Sequence, residues 1–89
     1  MDESLKQKVT AALAAACKPD DHPDIQLDDA GNRIAGLIVS GSFAGKSPHE
    51  RQDRIWHHLD ETLSPYERTL ISFIVTETPE EHRALKEDR

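Results

Sequence analysis

An unbroken apolar run constrains the fold of this 89-residue chain more than any other feature of its sequence. The run is Ile34-Ala35-Gly36-Leu37-Ile38-Val39. Successive side chains of a strand point to opposite faces, so a strand that is apolar at every position is covered on both faces. The sequence therefore predicts a central strand over 33–40 rather than an edge strand.

Two other segments have the patterns of strands that flank this run. Ile25 and Leu27 alternate with polar residues over 24–28, which is typical of a half-buried strand. The Asp-Ala-Gly-Asn turn that follows contains residues that accept positive φ angles, so this strand and the central run are predicted to form a β-hairpin. A second apolar segment predicts a third strand over 69–77.

Three instances of one capping pattern mark helix starts. Each places a hydroxyl residue before a proline and a glutamate two positions after it: Ser47-Pro48-His49-Glu50, Ser64-Pro65-Tyr66-Glu67 and Thr78-Pro79-Glu80-Glu81. The hydroxyl accepts from the third helical N–H, the glutamate reaches back to the cap N–H, and proline has no N–H to leave unsatisfied. The first and third instances predict helices over 48–62 and from 79, and the second predicts a single turn.

An N-terminal helix completes the predicted order of elements. Apolar residues recur at helical spacing over 4–17 behind a capping Ser4, and Pro19 ends the helix because the residue before a proline avoids the α region. The order α-β-β-α-β-α predicts one α+β domain over 1–89. We expect a two-layer sandwich in which a three-stranded mixed sheet carries its helices on one face.

Charge and cysteine content restrict the classes of partner. The formal net charge is −6, which disfavours a nucleic acid or an anionic membrane surface because both bind through clustered lysine and arginine. The single cysteine, Cys17, permits no intramolecular disulfide and predicts a reducing, cytoplasmic setting. Apolar runs fall far short of the roughly 20 residues that a membrane span needs.

The histidines, the cysteine and the serines do not show the spacing of a metal or catalytic site. His57 and His58 are adjacent, so they point about 100° apart on a helix, and no histidine pair has the spacing that places two imidazoles on one face. Cys17 follows a helix and is predicted to be a packed, inert thiol. No serine, histidine and carboxylate grouping stands out from ordinary surface polarity, so we predict no metal, no cofactor and no enzymatic activity.

Two features near the start of the 48–62 helix allow two interpretations each. The glycine-flanked loop from Gly41 to Gly45 either presents N–H groups to an anion or simply turns the chain. Lys46, Arg51 and Arg54 form either a cationic binding face or a solvated, salt-bridged surface, since acidic residues lie among them.

Several motifs together resemble the BolA family over about residues 33–82. They are Ile38-Val39-Ser40, Phe43-Ala44-Gly45-Lys46, an arginine at the start of a helix (Arg51) and Thr78-Pro79-x-Glu81. The resemblance implies a KH-like α/β sandwich and a stress-linked regulatory function. It also implies a monothiol glutaredoxin as partner, sharing an iron–sulfur cluster.

Departures from the family pattern bear on that cluster. Arg68 stands where the family has a histidine associated with the cluster, and a permanently protonated guanidinium is a very poor ligand for iron. The hairpin loop that can supply another ligand in relatives contains neither histidine nor cysteine here. We therefore expect the family fold without typical cluster ligation.

Two functions follow from this interpretation. The first is a non-enzymatic adaptor that binds a protein partner, with a monothiol glutaredoxin as the candidate; the alternative is a KH-like nucleic-acid-binding regulator. Either would use the same predicted binding residues, with the arginines facing water: Gly41, Phe43, Gly45, Lys46, Arg51, Arg54 and Arg68. The sequence leaves the oligomeric state open.

Overall fold

The polypeptide forms four α-helices and three strands within the range that the computed structural model describes, residues 3–87, with side chains at 4–29 and 31–86. The elements in chain order are α1 (Glu3–Ala15), β1 (Asp24–Ala30), β2 (Arg33–Val39), a 3₁₀ turn (Gly41–Phe43), α2 (Pro48–Thr62), α3 (Pro65–Arg68), β3 (Ile71–Glu77) and α4 (Pro79–Glu87). No helix in this range is long and apolar enough to cross a membrane.

The apolar run is the central strand of the sheet, as predicted. The strand order is β1-β2-β3, with β1 antiparallel and β3 parallel to β2. In this register Leu37 lies opposite Gln26 of β1 and Val75 of β3. The fold class is therefore confirmed as α+β with a three-stranded mixed sheet.

The core lies between the sheet and the helices α1 and α2. Ile34 and Ile38 of β2 are fully buried against Ile55 and Leu59 of α2 and against the apolar face of α1. Gly36 also faces this side, where an added Cβ would lie 2.9 Å from side-chain carbons of two neighbouring strands. The missing side chain leaves room for the side chains of Ile74 and Leu27 to pack over the central strand.

All three predicted capping boxes form, and they set the starts of α2, α3 and α4. Ser47 accepts from the N–H of Glu50 at 3.2 Å, while the Glu50 carboxylate accepts from the N–H of Ser47. Ser64 makes the same reciprocal pair with Glu67, and Thr78 with Glu81. These local bonds explain why the helix starts could be predicted.

Two boundaries differ from the sequence prediction. The first helix begins at Glu3, so Ser4 lies inside it rather than capping it, and ends at Ala15 because the next two residues form shorter-range turns. Strand β3 begins at Ile71 and not at 69, because the N–H groups of Thr69 and Leu70 are bonded back to the single-turn helix α3.

The opposite face of the sheet is not covered by α1 or α2. Apolar residues of β2 and β3 form the floor of an open groove there, and α4 reaches its side through His82, Leu85 and Lys86. The terminal helix α4 thus lies beside the outer face of the sheet, whereas α1 and α2 cover the core.

Candidate functional site

The glycine-flanked loop turns the chain and uses its own N–H groups to do so. Ser42 donates its N–H to the Ser40 hydroxyl at 3.0 Å, and the N–H groups of Phe43, Ala44 and Lys46 are bonded to carbonyls within the loop. An anion would have to displace these bonds. The geometry therefore favours the turn interpretation over an anion cradle.

The two loop glycines have different roles. Gly45 adopts φ 78°, a left-handed conformation that other residues enter only at a cost, and it redirects the chain toward α2. Gly41 is exposed at the start of the 3₁₀ turn with open space where a Cβ would stand. An added Cβ at Gly45 would likewise stand in open space.

The expectation that Arg51 faces water is wrong. Arg51 is only 8% exposed, and its two terminal nitrogens donate to both oxygens of Glu81 on α4, at 2.7 and 3.1 Å. Its Nε donates to the carbonyl of Lys46, and the guanidinium lies 6.0 Å from the centre of the Phe43 ring. A guanidinium held on all sides by its own chain fastens α4 to α2 and is not available to a partner.

The expectation that Phe43 belongs to the binding surface is also wrong. The side chain is fully buried within the core cluster. Its ring packs beneath Arg51, so it supports the loop from inside. A large aromatic side chain in this position gains more from burial than it could from an exposed contact.

Arg54 and Arg68 are exposed but already engaged. Arg54 donates from Nε to the carbonyl of Ala16 at 2.5 Å, which satisfies a carbonyl at the end of α1. Arg68 forms an ion pair with Asp60 and lies 5.1 Å from the centre of the Trp56 ring. Of the four cations predicted to bind a partner, the three arginines thus have partners within the molecule.

Lys46 and Arg54 line a shallow groove along α2, which we call the α2 groove. Its volume is about 460 Å³ and its walls carry charges of both signs. The lining residues are Lys46, Glu50, Asp53, Arg54, His57 and His58. Arg68 lies elsewhere, so the structure divides the predicted binding set into a loop, an internal ion pair, this groove and a separate site on α3.

One solved structure matches the fold over its full length. A Bol-like protein from Babesia bovis superposes on this chain with a TM-score of 0.57, covering 100% of this chain and 95% of its own. The chain has a BolA-like fold. The two sequences are 20% identical, so the likeness concerns the fold alone. No family model matches the sequence, and no curated protein matches it significantly.

Within this BolA-like fold a polar network at the end of β2 was missed by the sequence analysis. Ser40 and Ser42 both donate their hydroxyls to Asp21, the second at 2.9 Å, and the N–H of Lys18 donates to Ser42. The bond from Ser40 is the main cause that lowers the pKa of Asp21 below its ordinary value. Because 19 residues separate Asp21 from Ser40, local spacing gives no sign of this contact. The only signal in the sequence is that short polar residues are abundant around both positions.

The thiol beside this network is packed, as predicted. Cys17 is buried and donates to the carbonyl of Leu13 at 3.6 Å. Burial raises the pKa of the Cys17 thiol, which keeps it protonated and weakly nucleophilic. Among the side chains described at 4–29 and 31–86, no three of the metal-ligating types come together into a possible metal site.

Proposed function

We propose that this BolA-like chain is a non-enzymatic adaptor that binds a protein partner through the α2 groove. The observation that carries the proposal is the alternation of charge in that groove: Lys46 and Arg54 stand beside Glu50 and Asp53. Surfaces of both signs pair selectively with another folded protein, whose own charges alternate. A polyanion would meet the two carboxylates as well as the two cations.

The state of the arginines makes nucleic-acid binding the weaker alternative. Phosphate binding needs cations free to displace counterions, and Arg51 is held by Glu81 while Arg68 is paired with Asp60. The test is a titration with short single- and double-stranded oligonucleotides at about 50 mM salt, where electrostatic contacts are strongest. Tight binding with a steep salt dependence would favour this alternative over the adaptor.

The polar groups at the end of β2 support a non-catalytic role. Ser40 and Ser42 both donate to a carboxylate, and no imidazole is bonded to either hydroxyl within the described part of the chain. A serine nucleophile needs a base that accepts its proton. The raised pKa of Cys17 likewise argues against thiol chemistry.

The partner that we propose is a monothiol glutaredoxin, on the ground of the BolA resemblance, in a complex that does not depend on a cluster. Arg68, at the position of the family histidine, is committed to Asp60 and to the Trp56 ring. Purified chain and glutaredoxin would be mixed with and without iron and sulfide, and binding followed by calorimetry and by visible absorbance. We expect comparable affinity under both conditions.

A charge reversal locates the contact. We expect Lys46→Glu to weaken the complex about tenfold, which corresponds to roughly 1.4 kcal/mol. Arg33→Glu is the matched control, because Arg33 is exposed at the opposite end of β2 from the loop that leads to α2. Absence of any complex would reject this partner, and equal effects of the two reversals would reject the α2 groove.

A further inference from the structure

The outer face of the sheet exposes a concentrated apolar surface. Phe73 and Val75 of β3 are 57% and 41% exposed, and Leu85 of α4 is 51% exposed. Together with Ala35 and Leu37 of β2 they border one groove of about 650 Å³, here called the outer groove. Exposed apolar side chains gathered in one place mark an interaction surface more often than scattered ones do.

Charges of opposite sign stand on the two sides of the outer groove. Asp28 of β1 lies on one side, exposed, and none of the described ion pairs includes it. Lys86 of α4 lies on the other side, also exposed and outside the described ion pairs. The remaining titratable pair of the groove, Glu77 and His82, is closed on itself at 2.8 Å.

This arrangement is self-complementary. When two copies of the face meet around a two-fold axis parallel to the strands, each β1 lies opposite the α4 of the other copy. Asp28 of each copy then faces Lys86 of the second copy, and both ion pairs form at once. A partner with a uniformly basic or uniformly acidic rim would satisfy only one side of the groove.

We propose that the outer groove is a homodimer interface, with the apolar floor at its centre and the two Asp28–Lys86 pairs at its rim. The contact covers Phe73 and Leu85 of both copies, which removes the most exposed aromatic and aliphatic side chains of this face from water. The net charge of −6 opposes association at low ionic strength. At physiological salt the screening length is about 8 Å, so repulsion between distant charges is largely removed.

The dimer is independent of the adaptor function, because the α2 groove and the outer groove share no lining residue. Sedimentation equilibrium of the purified chain at about 150 mM salt measures the association directly. We expect a concentration-dependent dimer. A chain that stays monomeric at the highest concentration reached overturns the proposal, whether or not another protein binds the face.

Charge exchange tests the geometry of the dimer. Asp28→Lys alone and Lys86→Glu alone each replace two attractions by two repulsions, and we expect each to weaken the dimer about tenfold or more. An equimolar mixture of the two variants restores both attractions in a heterodimer, and the variant carrying both changes restores them in a homodimer. Asp20→Lys, in the loop before β1, is the control of equal charge.

Two further results test the dimer proposal. A mixture that associates no better than the separate variants contradicts the two-fold pairing of Asp28 with Lys86. Phe73→Ser provides a second test at a position whose exposure leaves the core untouched. We expect it to abolish the dimer while circular dichroism remains unchanged, and a dimer of unchanged affinity would overturn the proposal.

Discussion

The ion pair between Arg51 and Glu81 supports the sharpest stability prediction. Glu81→Gln removes the charge but keeps a side chain that can still accept from the cap N–H of Thr78. Arg51, which is 8% exposed, would then lie buried without its counter-ion. Because an unpaired buried charge is costly, the variant should be less stable than the parent protein at neutral pH.

The pKa of Glu81 sets the magnitude. Hydrogen bonds from the Arg51 guanidinium, followed by that from the Thr78 N–H, lower this pKa from 4.5 to about 2. At 1.36 kcal/mol per pKa unit, the upper bound on the contribution to folding is about 3.4 kcal/mol. The Glu81 side chain is 48% exposed, and screening by solvent reduces the expected loss to about 1.5 kcal/mol.

The pH dependence follows from the direction of the pKa change. A carboxyl whose pKa is lower in the folded state stabilises the fold fully above its unfolded pKa and loses that effect as pH falls through the folded pKa. The contribution of Glu81 should therefore be complete above about pH 4.5 and disappear toward pH 2. Urea unfolding of both proteins at neutral, intermediate and low pH measures the difference.

Glu80→Gln is the matched control for this experiment. Glu80 is the preceding residue in the first turn of α4, is exposed and belongs to none of the described ion pairs. Its change in the free energy of unfolding should stay within about 0.5 kcal/mol. Equal effects of the two substitutions at neutral pH, or a difference that persists undiminished at pH 2, would refute the role assigned to the ion pair.

Three further substitutions test the fold. Gly45→Ala should lower the free energy of unfolding in urea by about 1–2 kcal/mol because its φ is 78°, whereas Gly41→Ala should change it little; equal effects would contradict the strain argument. Gly36→Ala should cost about 1–3 kcal/mol and lower the melting temperature, since its Cβ would meet Ile74 Cδ1 at 2.9 Å; an unchanged melting temperature would show that the core yields. Ser47→Ala should cost about 1 kcal/mol by loss of the α2 cap, and Ser47→Asp, measured by the same unfolding, should recover most of it.

Most elements could be predicted because their signals act over a few residues. The capping boxes at Ser47, Ser64 and Thr78 each join residues three positions apart, and all three formed. The central position of β2 was predicted correctly from its apolar run, but the cover expected on both faces is incomplete, because Ala35 and Leu37 border the open groove on the outer face. Strand β3 was predicted two residues too early, because the single turn before it also uses the N–H groups of Thr69 and Leu70.

Of the predicted binding residues, only Lys46 and Arg54 line the α2 groove. The sequence identified Arg51 and Arg54 as cations at a helix start, yet a cation's availability depends on which acceptors the fold brings beside it. Glu81 lies 30 residues from Arg51, and the carbonyl of Ala16 lies 38 residues from Arg54. Neither separation leaves a trace in local spacing, so the sequence could not show that both arginines bond to distant parts of the chain.

The sequence by itself determined where α2, α3 and α4 begin and which strand is central, since capping and turn formation are local properties. Only the tertiary structure decided which charges remain free, because long side chains find their partners across elements that are distant in the chain. Neutral polar groups also find distant partners: Gln52 of α2 donates to the carbonyl of Ile74 in β3 at 2.8 Å. Desolvation of a charged or polar group depends on the packed surroundings, and those exist only once the chain has folded.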